Sequence, residues 1–171
     1  MPQPMTLQQL LESRDARAAR QCALLSANPG KTLVVLTVIV PGPEKRTPDS
    51  LVAARAAVGE LRRAFGDTDI AEYDLDSGFE AYLLTDKTPE DAKRICVGIE
   101  ERHPLGRVFD LDVMGEDGIP LTRASVGMAS RRCLICDSDA RVCMRLRTHG
   151  VDELLSRIHS LTETYLRDER I

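Results

Sequence analysis

No stretch of this 171-residue chain is apolar for long enough to cross a membrane. The longest predominantly apolar run, Leu33 to Val40, has eight residues, whereas a membrane-spanning helix needs about 20. Met1 to Glu12 lacks the charged-then-apolar layout of a secretory signal, so the expected location is the cytoplasm. Basic residues are also scarce relative to acids. With 23 basic and 27 acidic side chains the formal charge is -4, which leaves no global positive field to draw the protein to nucleic acid or anionic lipid. Any anion site has to be local. There is no internal repeat, no low-complexity tract and no linker that would separate one core from another. Folded domains commonly run to about 100 to 150 residues, so one domain over 1–171 is expected. The cysteine count is five, and an odd number in a reducing compartment argues for free thiols rather than disulfides.

What the chain does contain is an ordinary globular composition, 43% hydrophobic and 29% charged. From Thr6 to about Ala27 the positions Leu7, Leu10, Leu11, Ala18, Cys22 and Leu25 recur at helical spacing, and Asn28-Pro29-Gly30 ends the run. Thr32 to Val40 is β-branched and apolar, as a strand covered on both faces should be, and Pro41-Gly42-Pro43 stops it. Asp49 or Ser50 is the expected cap of a helix to about Phe65, closed by Gly66-Asp67. Ala71 to Asp76 and Phe79 to Thr85 flank Ser77-Gly78 as a hairpin. Thr88-Pro89-Glu90-Asp91 opens a helix to about Arg102, and Arg107 to Met114 reads as a strand. The order β-α-β-β-α-β predicts an α+β fold of the ferredoxin-like plan, an antiparallel sheet with both helices on one face. The first helix, and a last one over about Val151 to Arg167, are additions to that core.

Candidate chemistry concentrates between His103 and His149. Asp110 and Asp112 alternate with apolar residues in Val108-Phe109-Asp110-Leu111-Asp112-Val113, so a strand points both carboxylates to one face. Paired oxygen ligands suit magnesium shared with substrate phosphates. The same spacing also describes a solvated face on an edge strand, and Asp74 and Asp76 repeat it. Arg107 upstream and Arg123, Arg131 and Arg132 downstream flank the acidic pair, and arginine can grip phosphate with two hydrogen bonds. Lys45 adds a cation just after the first strand. In the first helix Arg14, Arg17 and Gln21 share one face, which is either a solvated surface or an edge that binds phosphate or a partner.

Cys133, Cys136, Cys143 and His149 form C-x2-C-x6-C-x5-H. Thiolates and an imidazole at this spacing suit tetrahedral zinc, and they equally suit unmetallated thiols packed beside an active site. Cys22 and Cys96 fall on apolar helix faces and are expected in the core.

These blocks together resemble the apo-citrate lyase phosphoribosyl-dephospho-CoA transferases, also called holo-citrate lyase acyl-carrier synthases. The resemblance rests on Ser13-Arg14-Asp15 with Arg17, Arg20 and Gln21, and on Pro41-Gly42-Pro43 with Lys45. It continues through His103-Pro104-Leu105-Gly106-Arg107 into Phe109-Asp110-Leu111-Asp112-Val113. It ends on Arg131-Arg132-Cys133-Leu134-Ile135-Cys136, with Cys143, Arg145 and His149. Glu44, Phe109 and Ala129-Ser130 depart from the family pattern, and Glu44 offers Lys45 a neighbouring negative charge.

The resemblance implies transfer of a triphosphoribosyl-dephospho-CoA unit onto a serine of the acyl carrier (gamma) subunit of citrate lyase, with release of diphosphate. It implies Asp110 and Asp112 as magnesium ligands and His103 as a base or phosphate donor, with Arg107 beside it as a further catalytic residue. Arg14, Arg17, Gln21, Lys45, Arg123, Arg131, Arg132 and Arg145 are the implied substrate-binding residues. His103 also fits a plain helix C-terminal position, where a cation is favoured. Two other functions suit the same residues: a zinc-dependent protein-binding module, and a nucleotidyltransferase acting on a small molecule.

Overall fold

The computed structural model describes residues 4–66 and 68–169. Its elements are α1 (Leu7–Ala27), β1 (Thr32–Val38), α2 (Pro48–Phe65), β2 (Ile70–Leu75), β3 (Gly78–Thr85), α3 (Pro89–Arg102), β4 (Phe109–Met114), α4 (Ala140–Leu146) and α5 (Val151–Asp168). One antiparallel sheet carries the strand order β2-β3-β1-β4.

β1 is central, and Thr32 to Leu36 are all buried, as the unbroken apolar run predicts. Alternation sends Val34 and Leu36 to one face, where they meet Ala53, Ala54, Ala57, Val58 and Leu61 of α2 and Ala92, Cys96 and Ile99 of α3. The small alanines let α2 lie close to the sheet. Leu111, Val113 and Phe109 of β4 complete this core, in which each fully buried leucine contributes about 1.5 to 3 kcal/mol. Leu33 and Val35 point the other way and pack with Tyr82, Met114 and Leu25 of α1. Helices α2 and α3 therefore share one face, and α1 crosses the other. α5 rests on α2 through Ile158 and Thr162, whose hydroxyl donates to Asp49 at 2.5 Å.

The structure departs from three expectations. α2 is capped by Thr47 in a reciprocal pair with Ser50, earlier than expected, because Pro48 can occupy the first helical position. Gly66 closes this helix, and Asp67 lies outside the described residues. α1 forms where expected, but its apolar positions are not a buried stripe. Leu7 is 73% exposed, Cys22 is also exposed, and Leu25 is the one buried residue of the helix. Charge, described below, holds this helix instead. Finally, the expected strand over Arg107 to Met114 starts at Phe109, since Gly106–Val108 form a 3-10 turn. A Cβ on Gly106 would sit 2.2 Å from the Glu100 carbonyl oxygen, so this turn against the end of α3 admits only glycine.

β4 is an edge strand, and four of its outward backbone groups are engaged. The Glu100 carboxylate accepts from Leu111 N at 2.9 Å, Lys93 Nζ donates to Leu111 O at 2.9 Å, and Arg131 donates to Phe109 O at 2.7 Å. Leu121 N donates to Val113 O at 2.7 Å. Covering an edge in this way blocks pairing with a second chain.

Candidate functional site

β4 alternates as the sequence predicts. Phe109, Leu111 and Val113 enter the core under α2 and α3, so Asp110 and Asp112 take the face that α1 crosses. The antiparallel register sets Asp110 opposite Thr37 and Thr37 opposite Glu80. One row of side chains across three strands thus reads Asp110, Thr37, Glu80, and the Thr37 hydroxyl lies 3.4 Å from Asp110 Oδ2. The Asp110 side chain is 46% exposed. Asp112 is more enclosed, and burial together with the Asp110 charge raises its carboxyl above the usual range.

Glu80 is the anchor of this face and was not singled out from the sequence. Its side chain is 1% exposed and accepts from Arg17 Nε at 2.9 Å and Arg20 Nη1 at 2.6 Å. The Tyr82 hydroxyl donates to the same carboxylate, and burial pushes Tyr82 up to about 12. The Arg20 guanidinium also stacks 4.4 Å from the Tyr73 ring centre. The available signal was a single acid inside the apolar strand Gly78-Phe79-Glu80-Ala81-Tyr82-Leu83-Leu84, which a chain buries only when it is paired.

Lys45 donates to Val40 O at 2.6 Å, at the end of the sheet where β1 leaves and β4 enters. Burial, and then the Arg14 charge, lower its ammonium below the usual range. Glu44, the neighbouring acid, makes no ion pair with Lys45 among the described residues. The Arg14 and Lys45 charges are thus close enough to repel each other. Gln21 lies half-buried on α1 with Arg17 and Arg20.

On the edge of β4, Arg131 spans three acceptors: Phe109 O at 2.7 Å, Glu100 Oε1 at 2.6 Å and Asp110 Oδ1 at 3.5 Å. Arg123 donates to Glu100 Oε2 at 2.5 Å and Glu101 Oε1 at 3.0 Å. Arg132 is largely solvated beside Asp137, and Arg145 is exposed on α4.

His103 does not join the carboxylates. It caps α3, its Nδ1 accepts from Leu105 N at 3.0 Å, and its ring packs against Phe109 at 4.9 Å and Tyr165 at 5.3 Å. Since Phe109 and Asp110 point to opposite faces, proximity in sequence separates His103 from Asp110 instead of joining them. Burial lowers its imidazole below the ordinary histidine range. His103 and Arg107 line a cleft of about 280 Å³ with Ile135, Cys136 and Arg157, and the Arg107 guanidinium donates to the Cys133 carbonyl.

The four sulfur and imidazole ligands do converge. Their ligand atoms all lie within 4.8 Å of one another. Cys136 Sγ is 3.5 Å from Cys143 Sγ and 3.4 Å from His149 Nε2. Around a tetrahedral zinc with Zn–S of about 2.3 Å, neighbouring donors fall roughly 3.5 to 3.8 Å apart. The imidazole holds the Cys136 thiol down at about 6. His149 Nδ1 faces Glu153 Oε2 at 3.4 Å, the outer carboxylate that commonly orients a metal-bound histidine. Ile135 N points at Cys133 Sγ, 3.5 Å away. Cys96 is buried in the core as expected, while Cys22 is not.

Residues 5–165 match the family described as apo-citrate lyase phosphoribosyl-dephospho-CoA transferase. The chain is similar to a probable apo-citrate lyase phosphoribosyl-dephospho-CoA transferase of Streptococcus pyogenes serotype M18, 34% identical over 95% of this chain and 88% of that protein. Apo-citrate lyase phosphoribosyl-dephospho-CoA transferases of Escherichia coli O7:K1 and Citrobacter koseri are 37% and 35% identical, each over 92% of this chain and 88% of the relative.

Proposed function

The chain belongs to the apo-citrate lyase phosphoribosyl-dephospho-CoA transferase family, and on that footing we propose that it transfers the triphosphoribosyl-dephospho-CoA group to a serine of the acyl carrier subunit of citrate lyase. The single observation that carries the site is the row Asp110, Thr37, Glu80 with its arginines, because it sets paired acids beside clustered cations on one sheet face.

In the reaction the carrier serine oxygen attacks the α-phosphorus and its proton passes to water. The bond from that phosphorus to the bridging oxygen breaks, diphosphate departs and a phosphodiester remains. Asp110 and Asp112 suit magnesium, since a shared cation relieves the repulsion that raises Asp112. When bound there, magnesium supplies charge neutralisation at the phosphate oxygens. Arg14 and Lys45 receive the diphosphate, whose negative charge their own mutual repulsion favours. Glu80 holds Arg17 and Arg20 in fixed directions, so they meet the developing charge without reorganising. Gln21 lies beside them as a donor. Arg107 fixes the Cys133 turn, and His103 packs on Phe109 and lines the same cleft as Arg107.

The soft donors Cys133, Cys136, Cys143 and His149 suit zinc and not magnesium, so the two metals occupy separate sites. The strand order and the shared face of α2 and α3 support a ferredoxin-like core in one transferase domain, with α1, α4 and α5 added. No described helix is long and apolar enough to span a membrane. Together with the carrier substrate, this supports a cytoplasmic enzyme.

Diphosphate release tests the assignment. It is expected only when carrier, donor and magnesium are all present. Equal release without the carrier would favour a nucleotidyltransferase acting on a small molecule. Carrier binding with no release would favour a binding module.

A further inference from the structure

We propose that the zinc centre of Cys133, Cys136, Cys143 and His149 is a clasp that positions Arg131 against Asp110, tying a structural metal to the carboxylate site. Residues 131–150 have almost no core of their own, because Cys133 and Cys143 are the only buried residues among them. A segment with so little apolar burial needs another constraint to hold one conformation. The four ligands are placed to supply it.

Residues 131–140 close as a hairpin. Arg132 bridges Asp139, Cys133 N donates to Ser138 O at 2.8 Å, and Ala140 N donates to Arg131 O at 2.9 Å. Cys133 and Cys136 lie in this hairpin, Cys143 lies on α4, and His149 lies in the turn before α5. One ion held by all four would tie these three pieces of chain together, adding to the bonds from Cys143 N to Asp139 O and from Thr148 N to Cys143 O. Arg131 opens the hairpin two residues before the first ligand, and its backbone carbonyl is the one that Ala140 N holds. Its guanidinium reaches out of the hairpin to Phe109 O, Glu100 and Asp110. Arg107 pins the hairpin from the β4 side through the Cys133 carbonyl. The route from the centre to Asp110 therefore runs through Cys133, the hairpin backbone and Arg131. Glu153 steadies the far side through His149.

This inference rests on the zinc reading of the cluster, and two measurements that need no turnover test it apart from the reaction. Protein purified without added metal should contain about one zinc per chain, lost in Cys136→Ser. Removing zinc should speed amide exchange at Cys133 and Ala140, whose hydrogen bonds close the hairpin. In turnover, Arg131→Gln in zinc-loaded protein should lower kcat by about tenfold or more, the usual scale for an outer-shell partner, with KM for the carrier unchanged. Zinc removal should lower kcat similarly, and removing zinc from the Arg131→Gln protein should add little. If zinc removal unfolds the chain, Glu153→Gln, which leaves all four ligands in place, takes its role in the cycle. A protein without zinc overturns the metal reading. Zinc present with fully additive losses overturns the clasp. Zinc and a protected hairpin with no transfer at all would sink the transferase reading and leave the clasp standing.

Discussion

Asp112→Asn is expected to abolish most transfer while leaving the fold as stable as before, and Asp110→Asn should behave the same way. Losing a carboxylate that holds a catalytic metal removes several kcal/mol of transition-state stabilisation, at least about a hundredfold in rate. The stability expectation has its own sign. Burial and Asp110 raise the Asp112 carboxyl, so the folded chain holds that charge less readily than the unfolded chain does. At neutral pH the charge opposes folding, and neutralising it should leave the melting temperature unchanged or higher. Added magnesium should raise the melting temperature of the unaltered protein and not that of either variant. Near-normal turnover in both variants, with unchanged circular dichroism, would remove the magnesium site from this face.

Glu100→Gln should be strongly destabilising. The Glu100 side chain is 3% exposed and accepts from Leu111 N, Arg131 and Arg123 at once. Glutamine keeps the shape, but its amide presents donors to donors and leaves Arg123 only Glu101, and Arg131 only the more distant Asp110, as carboxylate partners. Breaking a buried pair by removing one partner costs about 3 to 5 kcal/mol, and in a domain of this size each kcal/mol lowers Tm by about 2 to 4 °C. Activity should fall with stability, since Arg131 loses its strongest acceptor. A Tm within about a degree of the unaltered protein would show that Glu100 is not the tie between α3, β4 and the hairpin.

Much of the framework was legible because it depends on local pattern. Strand β1 is apolar throughout since both its faces are covered, and Asp110 and Asp112 share a face because strand geometry requires it. The four zinc-type ligands were legible from spacing, and their convergence needs only a turn and one short helix. Helix α4 was not, because its seven residues bury only Cys143 and so show no apolar stripe. Long-range pairing was equally hidden. Glu80 lies 63 residues from Arg17, and nothing local indicates that two arginines of α1 end on that strand. His103 shows the converse: it is near Asp110 in sequence, but a 3-10 turn intervenes and its ring packs on Phe109, which alternates with Asp110 along β4.

The most direct test is the intact mass of purified acyl carrier subunit after incubation with this protein, magnesium and triphosphoribosyl-dephospho-CoA. The account predicts a carrier heavier by one phosphoribosyl-dephospho-CoA group, no gain on a carrier whose acceptor serine is alanine, and almost none with Asp112→Asn. An unmodified carrier in the presence of folded, metal-loaded protein would contradict it.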